Sequence, residues 1–121
     1  ASAAYPGLPL WSGGFSFGAW IALTVGTRAP RVTRLLAIAP PVGRYDYRNV
    51  AVSQKPIHFI HGERDELVPL EEMLALYQQV IPPKTLTIIE GADHLFNKRA
   101  GEVGDDIQTA FRIRTPEEEQ T

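Results

Sequence analysis

Short apolar runs alternate with longer amphipathic stretches along this chain. The clearest run is 34–39, which is almost entirely apolar and ends at a pair of prolines. Runs of this kind are typical of strands buried on both faces, as in a parallel sheet. A second short run, 56–62, ends at a glycine, and the segments 9–14 and 85–91 are similar in length. The pattern predicts four strands, at 9–14, 34–39, 56–62 and 85–91.

Helical spacing of apolar residues marks three other segments. It predicts helices over 17–28, over 69–81 and from about 98 to 113, whereas 42–55 has no clear period and is predicted to be a loop. Strands that alternate with helices indicate an α/β protein with a mostly parallel sheet and flanking helices.

Composition narrows the class of protein without identifying its chemistry. The 121 residues are 44% hydrophobic and 21% charged, as expected for one globular domain. The net charge is −2 and no basic stripe is present, which argues against nucleic-acid binding. The chain has no cysteine, so it has no disulfide, thiolate metal site or cysteine nucleophile. Without a signal-peptide pattern or a run of ~18 apolar residues, we expect a cytoplasmic protein that does not bind membranes.

The stretch PLWSGGFSFGAWIAL places Ser16 between a predicted strand and a predicted helix, with Gly14 and Gly18 two positions to either side. A serine here can cap the helix. It can also be a nucleophile on a strained turn, where glycines relieve crowding of the backbone. The helix would then direct its N-terminal amides, including the N–H of Phe17, at a developing oxyanion. The motif alone leaves both interpretations open, while a phosphate-binding loop is disfavoured because the P-loop lysine is absent.

Two further polar residues follow predicted strands. Asp65 lies just past strand 56–62, and His94 lies a few residues past strand 85–91. Sites in open α/β sheets form at the carboxyl ends of strands, so we expect both residues at the edge that holds Ser16. A serine nucleophile needs a base and a group that orients the base, and Ser-Asp-His is the order of an α/β-hydrolase triad. Neighbouring ionisable residues are interpreted as two solvated carboxylates and two packed, hydrogen-bonded imidazoles: Glu63, Glu66, His58 and His61.

Four segments carry a family pattern in order: GGFSFGAWIAL, LLAIAPPVGRYDY, PIHFIHGERDELVP and EGADHLF. Together they resemble the C-terminal half of a small, capless bacterial α/β-hydrolase of the dienelactone-hydrolase and carboxylesterase type. The resemblance extends from about Pro9 to Phe111. It implies a serine hydrolase of carboxylic esters or thioesters that needs no metal or cofactor.

The same resemblance implies roles for individual residues. Ser16 would be the nucleophile, His94 the general base and acid, and Asp65 the orienting carboxylate. The N–H of Phe17 would contribute to the oxyanion hole. A substrate pocket would be lined by residues that follow the strand ends: Phe15, Phe17, Pro41, Leu67, Val68 and Phe96.

Hydrolases of this type also have an N-terminal half, which supplies the first strands and a second oxyanion donor. We therefore expect residues 1–121 to form a single partial domain in which strand 9–14 is an exposed, apolar edge. Such a chain would be a fragment, the product of a cut or one half of a two-piece assembly, and weakly active or inactive alone. Expected partners are the small-molecule substrate and either the missing half or a second copy. The alternative is a non-catalytic module used for binding or assembly.

Overall fold

The computed structural model of the protein describes residues 11–112, with the side chains of residues 11–109. In this part of the chain, four strands form one parallel sheet in sequential order. The strands are β1 (Trp11–Phe15), β2 (Arg34–Ile38), β3 (Ile57–Gly62) and β4 (Lys84–Ile89). The helices are α1 (Phe17–Arg28), α2 (Arg48–Val52), α3 (Leu70–Gln79) and α4 (Ala100–Arg112). The α/β architecture predicted from the sequence is confirmed.

Within the described residues, each predicted strand and helix is present with ends that differ by at most two residues. The first two residues of predicted strand 9–14 lie outside the described part. The predicted loop 42–55 is wrong in its centre, where α2 forms. Val50 and Ala51 of this helix are buried, and the carbonyl of Ala51 accepts a hydrogen bond from the N–H of Ile81 at 3.0 Å. Tertiary packing therefore stabilises a five-residue helix that its own sequence does not predict.

Helices cover both faces of the sheet. Side chains alternate between the faces along a strand, so Leu35 and Ala37 of β2 point to one side and Leu36 to the other. The first side packs against helices α1, α2 and α3, through residues that include Ala19, Leu23, Val50, Phe59, Met73 and Leu76. The second side carries a smaller core to which α4 contributes: Leu36, Ile60, Ile89, Ala92 and Phe96, with Val103 and Ile107 against it.

The parallel sheet brings the carboxyl ends of all four strands to one edge. β1 pairs in register with β2, so that Phe15 lies beside Ile38. Among residues 11–112, β1 has no strand on its other side, in agreement with the predicted open edge. In this same range no helix has the length and apolar character needed to cross a membrane.

Candidate active site

Ser16 occupies a strained turn between β1 and α1. Its φ of 56° and ψ of −124° place it in the left-handed region, which costs a residue other than glycine on the order of 1–3 kcal/mol. The turn is held because the N–H of Ser16 donates to the carbonyl of Ile38 at 2.8 Å, while its own carbonyl accepts from Ala19 at 2.8 Å. The hydroxyl makes no capping hydrogen bond, so the capping interpretation is wrong. Instead, Ser16 Oγ lies 2.9 Å from Nε2 of His94.

The two glycines that flank this serine differ in what they do. A Cβ on Gly14 would lie against the carbonyl of Gly18 and 2.9 Å from the N of Ala19, closer than real Cβ atoms approach such groups. The predicted need for glycine is confirmed there. At Gly18 the prediction is wrong, because a Cβ would meet no atom of the described residues within 4 Å. Gly18 is exposed on the first turn of α1, whereas Gly14 lies beneath that turn.

Asp65 and His94 meet at the same edge of the sheet. Nδ1 of His94 lies 2.7 Å from Oδ2 of Asp65, and both side chains are buried. The other carboxylate oxygen, Oδ1, accepts from the N–H of Leu67 at 2.8 Å and from the N–H of Val68 at 2.7 Å. The backbone of its own loop therefore fixes the carboxylate of Asp65. Ser16 Oγ, the imidazole of His94 and Asp65 Oδ2 form one continuous chain of hydrogen-bond distances.

Two glutamates tie the loop of Asp65 to the loop of His94. Glu66 Oε1 accepts from the backbone N–H of His94 at 3.0 Å, and Glu63 Oε1 accepts from the N–H of Gly91 at 2.8 Å. Both glutamates are exposed, as predicted, but they are not merely solvated. The sequence does not predict these hydrogen bonds, since a glutamate that accepts from a distant loop looks the same in the sequence as one that faces water.

The loop before His94 packs directly onto the end of β3. A Cβ on Gly62 would lie 2.6 Å from the carbonyl oxygens of both Ala92 and Asp93, so only glycine fits. The carboxylate of Asp93 accepts from the backbone N–H and the side-chain amide of Asn97 at 2.9 and 2.6 Å. These hydrogen bonds hold the pKa of Asp93 below its usual range. Asp65 is thus the carboxylate that contacts the imidazole of His94.

The other two histidines are packed and hydrogen-bonded. His58 lies near the opposite end of β3, with Nε2 2.7 Å from Oδ2 of Asp106 and Nδ1 against Thr85, so it joins the sheet to α4. His61 is completely buried, and its Nε2 lies 2.8 Å from the carbonyl oxygen of Val68. Across residues 11–112, no group of three or more His, Cys, Asp or Glu side chains is arranged to hold a metal ion.

The predicted oxyanion donor lies at the start of α1. The first N–H groups of a helix have no acceptor within the helix, and no described residue accepts from Phe17. Phe17 as a whole is 52% exposed, and its ring lies 5.7 Å from the ring of Tyr45, which stacks on Trp20 at 5.1 Å. Sequence reasoning did not include Tyr45 and Trp20 among the site residues, because their proximity depends on how the loop after β2 folds over α1.

The remaining predicted pocket residues lie around the same strand ends but differ in exposure. Phe15 is 40% exposed, and its ring lies 5.6 Å from the His94 ring and 6.2 Å from the Phe96 ring. Leu67 is also exposed. Three others are buried, namely Pro41, Val68 and Phe96. Substrate contact by any of these residues stays a prediction.

A model of the dienelactone hydrolase family matches residues 10–114. The chain belongs to the dienelactone hydrolase family. An uncharacterized protein of Rickettsia prowazekii (strain Madrid E) is 34% identical to this family member over an alignment of 102 residues that covers 78% of this chain and 43% of the relative. The chain therefore spans less than half the length of that curated relative.

Solved structures agree with the family assignment. A putative α/β hydrolase from Agrobacterium tumefaciens has a TM-score of 0.81 at 26% identity, over 86% of this chain and 50% of that one. A lidless α/β serine hydrolase from Xanthomonas campestris has a TM-score of 0.78 at 29% identity, over 94% and 53%. An α/β serine hydrolase homologue from Coxiella burnetii has a TM-score of 0.74 at 30% identity, over 84% and 49%. This family member thus has part of the α/β-hydrolase fold, and its resemblance to small, capless hydrolases is confirmed.

Proposed function

We propose that the protein is a serine hydrolase of carboxylic esters or thioesters, with Ser16 as nucleophile, His94 as general base and acid, and Asp65 as orienting carboxylate. The observation that carries the proposal is the hydrogen-bonded chain from Ser16 Oγ through the imidazole to Asp65, at 2.9 and 2.7 Å. The positive φ of Ser16 also supports the proposal, because a strained backbone of this kind is common at functional sites and has no evident use in a serine that only packs. The hydrolase family and fold of the chain also support the proposal.

In the first half-reaction, Ser16 Oγ attacks the carbonyl carbon while its proton moves to Nε2 of His94. The carbonyl oxygen becomes an oxyanion, and the N–H of Phe17 donates to it. The tetrahedral intermediate then collapses. The bond to the leaving alcohol or thiol breaks, and that group takes the proton from Nε2, leaving an acyl ester on Ser16.

In the second half-reaction, a water molecule attacks the acyl carbon and gives its proton to Nε2 of His94. The ester bond to Ser16 breaks, Oγ regains the proton, and the carboxylic acid leaves. Asp65 accepts from Nδ1 throughout, which keeps the lone pair of the neutral imidazole on Nε2 and stabilises the imidazolium when it forms.

Covalent labelling by a fluorophosphonate tests the nucleophile directly. We expect the probe to label the unsubstituted chain and the substitution Ser16→Ala to abolish labelling, because the probe phosphonylates an activated hydroxyl. Ser12→Ala is the matched control. This serine lies in the same strand but donates to the carbonyl of Ala22 at 2.8 Å, so its removal should leave labelling intact. Labelling that persists in Ser16→Ala would point to another nucleophile.

The second candidate function is a non-catalytic module that assembles with a further segment or a second copy. It is favoured by β1, which within residues 11–112 pairs only with β2, and by the span of about half the length of similar structures. The same experiment separates the candidates, since a non-catalytic module labels no faster than its Ser16→Ala variant. Light scattering of the chain would report assembly with a second copy.

A further inference from the structure

A second histidine lies beneath the carboxylate of the candidate site. His61 is the penultimate residue of β3, and its side chain is completely inaccessible to solvent. Its Nε2 is 2.8 Å from the carbonyl oxygen of Val68 and 3.7 Å from Oδ2 of Asp65. A carbonyl oxygen only accepts hydrogen bonds, so the ring proton must be on Nε2.

Val68 links this histidine to Asp65. The N–H of Val68 donates to Oδ1 of Asp65 at 2.7 Å, while its carbonyl accepts from His61. Val68 is only 1% exposed, so the surrounding core restricts its movement. Within the loop 65–68, the N–H of Val68 therefore contacts the carboxylate of Asp65, and the carbonyl of Val68 contacts His61 on β3. Fixing Val68 fixes a donor that sets the orientation of Asp65, and with it the position of Oδ2.

The imidazole of His61 is suited to this role only while it is neutral. Nδ1 is buried and has no hydrogen-bond partner among the described residues. Burial lowers the pKa of His61 below its ordinary value, although the nearby charge of Asp65 acts in the opposite direction. The ionisable groups that act on this ring are Asp65 and His94. A cationic ring 3.7 Å from Oδ2 would compete with His94 for the carboxylate, whereas a neutral ring leaves that charge to His94.

We propose that His61 is a positioning residue: as a neutral Nε2–H imidazole it holds the carbonyl of Val68, so that Asp65 presents Oδ2 to His94. The proposal rests on the proposed function. It explains why a polar side chain lies wholly buried at the end of β3, with one nitrogen hydrogen-bonded and the other accepting nothing.

Three substitutions of His61 separate positioning from packing. In His61→Gln, the side-chain amide nitrogen lies as many bonds from Cα as Nε2 does, so it can still donate to Val68. In His61→Asn, the amide nitrogen reaches only to the place of Nδ1 and loses that contact. His61→Leu fills the space without any donor. A positioning role therefore predicts that Gln rescues the site and that Asn and Leu do not.

The first readout is the proton on Nδ1 of His94, observed as a downfield ¹H resonance that does not depend on turnover. We expect it to remain in His61→Gln and to shift or broaden in His61→Asn and His61→Leu. The second readout is the fluorophosphonate labelling rate, which should fall roughly tenfold in Asn and Leu, about the effect of one lost hydrogen bond that leaves a buried carbonyl unpaired. If Asn and Leu retain both the resonance and the rate, the proposal is overturned.

Nitrogen-15 spectra of the unsubstituted chain provide a test that does not depend on whether the variants fold. With three histidines in the sequence, the rings can be assigned individually. We expect His61 as the neutral Nε2–H tautomer across neutral pH, and a ring found protonated on Nδ1 would refute the proposal. If the unsubstituted chain does not label at all, the proposed function fails, but the His94 resonance still decides whether His61 positions Asp65.

Discussion

Asp65→Asn is the change for which the structure makes the sharpest prediction, because the amide has only one favourable orientation. Oδ1 of Asp65 accepts from the N–H groups of Leu67 and Val68, whereas Oδ2 faces Nδ1 of His94. In the variant, the amide oxygen should take the place of Oδ1 and keep both backbone donors. The NH₂ group then faces Nδ1 of His94.

The orientation of the amide follows from counting hydrogen bonds. The opposite amide orientation would leave the N–H groups of Leu67 and Val68 facing NH₂, at a cost of about 1–3 kcal/mol each. The orientation with NH₂ toward His94 is therefore favoured by at least about 2 kcal/mol, or roughly 30-fold. His94 then accepts at Nδ1 and carries its proton on Nε2, where it cannot receive the proton of Ser16. A wrong tautomer of this kind lowers the rate by about 10⁴-fold, equivalent to about 5.5 kcal/mol.

The assay is the second-order rate of fluorophosphonate labelling, measured for the unsubstituted chain, Asp65→Asn and the control Asp93→Asn. Asp93 is adjacent to His94 in sequence, but its carboxylate accepts only from groups other than the imidazole, so its change should leave the rate nearly unaltered. Labelling of Asp65→Asn within about tenfold of the unsubstituted chain, a difference of only about 1.4 kcal/mol, would refute the tautomer argument.

Two further predictions concern stability. Gly14→Ala should lower the free energy of unfolding by about 3 kcal/mol, because its Cβ would meet the backbone of Gly18. Gly18→Ala should raise it by up to about 1 kcal/mol, because alanine has the higher helix propensity and its Cβ has space. Urea unfolding measures both changes, and equal effects would contradict the steric argument. Because burial lowers the pKa of His61, the unfolded chain binds a proton below about pH 6.5 that the folded chain does not. As the pH decreases below this value, the free energy of unfolding should therefore decrease by up to about 1.4 kcal/mol per pH unit. His61→Gln has no group that titrates at this position and should not show this decrease. If the free energy of unfolding changed equally with pH in both proteins between pH 7.5 and 5, the prediction would be contradicted.

The sequence predicts the centre of the sheet most clearly, because β2 and β3 are buried on both faces and read as short apolar runs. The position of the site follows from the same pattern, since residues after the ends of parallel strands must meet at one edge. That argument brings Ser16, Asp65 and His94 together from their places in the chain, without knowledge of any contact. It could not predict α2, whose helix depends on burial of Val50 and Ala51.

Contacts between loops are the part that the sequence leaves open. In the sequence, Glu66 cannot be distinguished from a glutamate that faces water. It accepts from the backbone N–H of His94 only because the fold brings together two loops that are distant in sequence. Gly14 and Gly18 are equivalent in the motif, yet only Gly14 lies beneath a helical turn. His61 reads as one polar residue in an apolar strand, and its partner is a backbone carbonyl that carries no sequence signal.

The geometry of the proposed nucleophile, Ser16, and of its proposed base, His94, is supplied by residues that the structure describes. Backbone groups of Ile38 and Ala19 fix Ser16, and the N–H groups of Leu67 and Val68 fix Asp65. A further segment packed on β1 is not required for any of these bonds, so it would act on oxyanion stabilisation and substrate binding. In the proposed mechanism, activation of the Ser16 hydroxyl therefore depends on the described residues, whereas ester turnover also requires full stabilisation of the oxyanion.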